Sequence, residues 1–153
     1  KKNFTQCWNY FLIFQIQYLT EFKVKFFGDY ETLSIWGTIV YNQNLVLNKK
    51  MKLNNEFSKN LKESYIDEMT SLDGDLGLNA MTISDLTGIP RPTVIRKLNN
   101  LMNNHWITKN DKGLYFISKY IRTYKNLNDV RLKNITNIAN MVSKFFNAAR
   151  LYE

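Results

Sequence analysis

The chain has 153 residues, with 21 Lys and Arg against 13 Asp and Glu, a formal net charge of +8 and 14% aromatic residues. That length admits one domain, or one domain with appended helices, and 44% hydrophobic residues exclude a disordered chain. A single cysteine, Cys7, excludes an internal disulfide framework and fits a reducing compartment, so a cytoplasmic location is expected.

Phe4, Trp8, Phe11, Gln15, Tyr18 and Phe22 alternate at four- and three-residue steps, with Leu12, Ile16 and Leu19 alongside. This predicts a long N-terminal helix over 1–28 with a wide apolar stripe for packing or dimerisation. Cys7 is expected as a small core residue of that segment. Asn9, Gln15, Gln17 and Glu21 interrupt any apolar run long enough for a membrane span, so no membrane partner is expected. Gly28-Asp29 ends the helix, and a second is predicted from Tyr30 to Asn44, burying Leu33, Ile35, Trp36, Ile39 and Val40. Leu53, Phe57, Leu61 and Met69 then suggest an inserted amphipathic helix near 53–70, followed by a turn at Asp73-Gly74-Asp75. That turn lacks the spaced oxygen ligands and terminal glutamate of a calcium loop.

The segment 78–117 carries the clearest local signals. Ile83, Leu86 and Ile89 supply an apolar face for a short helix that either Asn79 or Thr82 can cap, and Gly88 suits a sharp turn. Ile89 and Arg91 precede prolines and are biased toward extended backbone, so the next helix is expected to begin at Pro92. Within the helical segment of about 91–104, Val94, Leu98, Leu101 and Met102 face inward and leave Arg91, Thr93, Arg96, Asn99 and Asn100 outward. A left-handed residue is expected within Asn103-Asn104-His105. Ile107–Lys109 and Leu114–Ile117 then read as a hairpin around Asn110-Asp111-Lys112-Gly113, with Lys109, Asn110 and Lys112 at its tip.

Helix, turn, helix and hairpin in this order form the pattern of a winged helix-turn-helix, a unit that places its second helix in the major groove of DNA. Gly88-Ile89-Pro90-Arg91-Pro92-Thr93-Val94-Ile95-Arg96-Lys97-Leu98 resembles the G-[IL]-x-[KR]-x-T-V-x-R-x-L core of bacterial winged-helix transcription regulators, notably MarR-type proteins and the DNA-binding heads of the IclR group. The resemblance covers about a quarter of the chain. It implies that Arg91, Thr93 and Arg96 contact bases or phosphates, with Lys109 and Lys112 on the wing. Ser84, Ile95 and Lys97 depart from the usual residue types, although Ile95 can still touch a thymine methyl. The candidate DNA-binding set is therefore Arg91, Pro92, Thr93, Ile95, Arg96, Lys97, Asn99, Asn100, Lys109, Asn110 and Lys112.

Charge placement agrees with this set. Through Leu76 the chain has nine lysines and nine acidic residues, whereas 77–122 holds seven basic residues against Asp85 and Asp111. Beyond Ser118 the sequence reads as helical, with a break expected near Asn126-Leu127-Asn128. Ile135, Ile138, Val142, Phe145, Ala149 and Tyr152 suit a helix–helix seam, either with the chain's own first helix or across a dimer. Flanking terminal helices are similar to the layout of MarR-type dimers, which implies a homodimer.

The expected fold is mainly α with a small β-hairpin wing: a winged helix-turn-helix at 29–117 between terminal dimerisation helices at 1–28 and 118–153. No catalytic constellation, metal-ligand set or cofactor motif stands out, and an enzyme is not expected. The favoured function is a sequence-specific double-stranded DNA-binding transcriptional regulator, whose aromatic N-terminal region is a candidate lining for a small-molecule effector pocket. The alternatives are a plasmid or phage replication-initiation protein and a winged-helix protein-interaction module without DNA binding.

Overall fold

The computed structural model describes residues 2–54 and 76–149. It is mainly helical, with one small antiparallel hairpin. The elements are α1 (Lys2–Phe22), a π-helical turn (Lys23–Phe27), α2 (Tyr30–Asn54), α3 (Ala80–Thr87), α4 (Arg91–Asn103), β1 (Ile107–Lys109), β2 (Tyr115–Ile117), a 3-10 turn (Lys119–Thr123) and α5 (Lys125–Ala149). The chain divides into two compact units, one from 1–30 with 124–153, the other from 31–123. Among the described residues, no helix is long and apolar enough to cross a membrane.

In the terminal unit α1 packs along α5, and the two run antiparallel: Lys133 Nζ lies 3.0 Å from Glu21 Oε1, and Lys144 Nζ lies 5.5 Å from the Tyr10 ring centroid. Hydrogen bonds from Lys25 and Lys133 hold the Glu21 carboxyl below the ordinary carboxylate value. The π-helical turn closes where Gly28 N–H donates to Lys23 C=O at 2.8 Å, and Gly28 at φ 74° stops the helix, as its sequence position predicts. Two expectations change here. Cys7, expected in the core, is only half-buried; on the stripe expected for packing or dimerisation, Phe4 and Trp8 are exposed among the described residues. The expected break at 126–128 lies instead at Tyr124, whose carbonyl accepts from Leu127 N–H at 3.0 Å. The helix then runs through Asn126 and Asn128, because the buried Val130 and half-buried Leu127 outweigh the weak helix propensity of asparagine.

The central unit builds its core from one face of α2 (Leu33, Ile35, Trp36, Ile39, Leu47), Ile83 of α3, Val94, Leu98 and Leu101 of α4, and Trp106, Ile107, Tyr115, Phe116, Ile117 and Ile121. Helix α2 continues ten residues past the expected end at Asn44, since Gln43 and Leu47 prolong its buried face. Leu53 lies in its last turn. The remainder of the expected inserted helix and the Asp73-Gly74-Asp75 turn lie outside the described residues.

The hairpin pairs Ile107 with Ile117, Thr108 with Phe116 and Lys109 with Tyr115, so β2 is one residue shorter than expected. Its outer edge is met by Leu78 in an isolated bridge, with Tyr115 N–H donating to Leu78 C=O at 2.8 Å. Gly77 permits this approach: a Cβ there would sit 2.6 Å from the Phe116 ring.

Candidate nucleic-acid interface

Each end of α3 and α4 is fixed by local chemistry. Of the two candidate caps, Asn79 is the one used, its side chain accepting from Thr82 N–H at 2.9 Å. Gly88 ends α3 in left-handed backbone (φ 69°) and donates to Ser84 C=O at 2.9 Å. The connection is then clamped by side chains: Ser84 Oγ donates to Ile89 C=O at 2.7 Å, and Thr87 Oγ1 accepts from Ile89 N–H at 3.3 Å. Ser84, which departs from the family-like pattern, thus has a defined task in holding the turn. No atom lies within 4 Å of a Cβ at Gly88, so Gly88→Ala strains only the backbone. It should cost about 1–2 kcal/mol in a urea titration; an unchanged midpoint would show that the turn relaxes freely.

Helix α4 starts at Arg91, one residue before the expected Pro92 and without the extended backbone expected at Arg91. Pro90 C=O accepts from Val94 N–H at 3.0 Å and opens the helix, while Pro92 falls where no intrahelical donor is needed. The helix ends in a Schellman arrangement. His105 holds φ 58°, its N–H donates to Met102 C=O, and Trp106 N–H donates to Leu101 C=O, each at 2.9 Å.

Val94, Leu98 and Leu101 are buried, and the turned-out face presents Arg91, Pro92, Ile95, Arg96, Asn99 and Asn100. Arg91 and Arg96 have no ion-pair or hydrogen-bond partner among the described residues. Their separation of five residues spans about 7.5 Å of helix axis, close to two base-pair steps. Thr93 is half-buried at the edge of this face. Asn100 accepts from Asn104 Nδ2 at 2.9 Å through both its main-chain and side-chain oxygens.

Lys97 lies apart from this group. Its side chain is 12% exposed and its Nζ stands 3.7 Å from Glu31 Oε2 of α2, so it joins α4 to the scaffold.

At the hairpin tip Lys109 and Lys112 are exposed, and Lys109 Nζ lies 5.4 Å from the Tyr115 ring centroid. Asn110 shapes the turn: its Oδ1 accepts from Leu114 N–H at 2.9 Å, and its C=O accepts from Gly113 N–H at 3.0 Å. Sequence reasoning missed Gln43. Buried on α2, it accepts with Oε1 from Ile117 N–H at 2.6 Å and ties the hairpin to the scaffold. Its only sequence signal is a polar residue in phase with Trp36, Ile39 and Leu47.

In the terminal unit, an open groove of about 480 Å³ is lined by residues including Gln17, Glu21, Lys25 and Lys133, with no aromatic side chain among them. It therefore differs from the aromatic effector pocket expected above. Among the described residues, no group of three or more His, Cys, Asp or Glu could hold a metal ion. No protein-family model, curated protein or solved structure matches the chain.

Proposed function

We propose that this chain is a sequence-specific double-stranded DNA-binding transcriptional regulator of the winged helix-turn-helix type, with α4 as the recognition helix and the β1–β2 hairpin as the wing. The observation that carries the reading is the exposed face of α4, where Arg91 and Arg96 lack partners among the described residues. Guanidinium groups on a helix whose opposite face is anchored by Val94, Leu98 and Leu101 can meet guanine edges or phosphates without refolding the scaffold.

Arg91 and Arg96 take the base-reading roles, Ile95 meets a thymine methyl, and Asn99 and Asn100 reach adjacent bases or phosphates. Pro92 and Thr93 approach the backbone at the start of the helix. Lys109 and Lys112 contact phosphates or the minor groove beside the wing, with Asn110 setting its tip. Lys97, paired with Glu31, takes a supporting role and holds α4 to the scaffold.

The wing can be tested by salt dependence. Lys109→Ala with Lys112→Ala should flatten the plot of log affinity against log salt by about 1.8 units per bound chain, through the loss of two phosphate contacts. A slope equal to the wild type would remove the wing from the interface.

A further inference from the structure

Four of the six residues 99–104, at the end of α4 and just past it, are asparagine. Asparagine is a weak helix former, so helix stability does not account for this run. The structure divides the four into two pairs. Asn104 Nδ2 donates to both the main-chain and the side-chain oxygen of Asn100 at 2.9 Å, which ties these two together at the helix end. Asn99 and Asn103 are exposed, and neither side chain has a hydrogen-bond partner among the described residues.

Helical rotation puts the second pair on the outermost ridge of α4. Val94, Leu98 and Leu101 are buried and mark the inward direction. At about 100° per residue, Arg96, Asn99 and Asn103 fall within roughly 60° of one another and nearly opposite that direction. From Arg96 to Asn103 the ridge covers about 10.5 Å of helix axis, close to three base-pair steps. Beyond Lys97 no residue of α4 is charged, so this half of the ridge offers hydrogen bonds and no ionic attraction for phosphates. Its side chains are short, which lets the helix axis lie close to base edges.

Given the DNA-binding role proposed above, on which this inference rests, we propose that Asn99 and Asn103 each read an adenine. A carboxamide presents an acceptor oxygen beside a donor NH2, which matches the N6 donor and N7 acceptor of adenine in the major groove. Guanine offers two acceptors there, N7 and O6, so the amide oxygen would face an acceptor and lose one of the two bonds. Arg96 has the converse chemistry, donors only, and suits that guanine. The ridge therefore specifies one guanine and two adenines, on either strand, within about four consecutive base pairs. Asn100, whose Oδ1 is engaged by Asn104, keeps its amide donors for a phosphate oxygen.

The test uses the duplex that the full chain selects from a random pool. Its motif should hold adenine at two positions within about three steps of the guanine read by Arg96. Replacing either adenine by 7-deazaadenine, which keeps Watson–Crick pairing and removes N7, should weaken wild-type binding about fivefold. Asn99→Ala and Asn103→Ala should each lower affinity for the selected duplex about 5- to 150-fold. Each variant should bind the duplex carrying 7-deazaadenine at its own position as tightly as the unmodified one. The salt dependence should keep its wild-type slope, because no phosphate contact is lost. A motif without these adenines, or 7-deazaadenine tolerated by the wild type at both positions, overturns the adenine assignment and leaves DNA binding standing. Variants that weaken every duplex equally, with a shallower salt slope, overturn it too and make these asparagines phosphate contacts. A chain that retains no duplex, or all equally, overturns sequence-specific binding and this assignment together.

Discussion

Arg96→Ala should lower affinity for the preferred duplex about 5- to 150-fold, the equivalent of about 1–3 kcal/mol for a bidentate guanine contact. The loss should shrink on duplexes altered at the base pair that Arg96 reads, because the variant no longer distinguishes it. Arg91→Ala should act similarly at a neighbouring position, since both guanidinium groups project from the first two turns of α4. Equal losses on every duplex, with a shallower salt dependence, would make these residues phosphate contacts. Neither substitution should change stability by more than about 0.5 kcal/mol, because both side chains are exposed. Binding and folding are therefore separable at these positions.

Trp106→Ala should have the largest effect on folding, about 3–5 kcal/mol in urea unfolding. Trp106 is 4% exposed and meets Trp36 of α2 edge-on, with ring centroids 5.8 Å apart at 83°. Its backbone joins three elements: its N–H closes the end of α4, its C=O accepts from Ser118 N–H at 3.1 Å, and β1 begins at the next residue. Truncation removes the side chain that fastens the α4–hairpin junction to α2. A loss below about 1 kcal/mol would mean that the junction is held by the backbone alone.

The parts of the central unit visible in the sequence are those whose cause is local. Asn79, Gly88, the two prolines, His105 and the Asn110–Gly113 turn each act within five residues, and their elements lie within one or two residues of expectation. Lys97 could not be placed in this way, because its partner Glu31 is distant in sequence. Gln43 and Leu78 were illegible for the same reason: their hydrogen bonds reach Ile117 and Tyr115, and only the folded chain brings these together. The N-terminal stripe was legible only in part. Periodicity identified a helix with an apolar side, but could not say which of its residues are buried, as Phe22 is, and which, like Phe4 and Trp8, are exposed among the described residues.

The DNA-binding reading rests on whether α4 discriminates among base pairs, and selection from a pool of random duplexes tests this most directly. The purified full chain should enrich a short shared motif at moderate salt, and the Arg96→Ala variant should lose one position of that motif while retaining the rest. A chain that retains no duplex at low salt, or retains all sequences equally, would contradict sequence-specific binding through this helix.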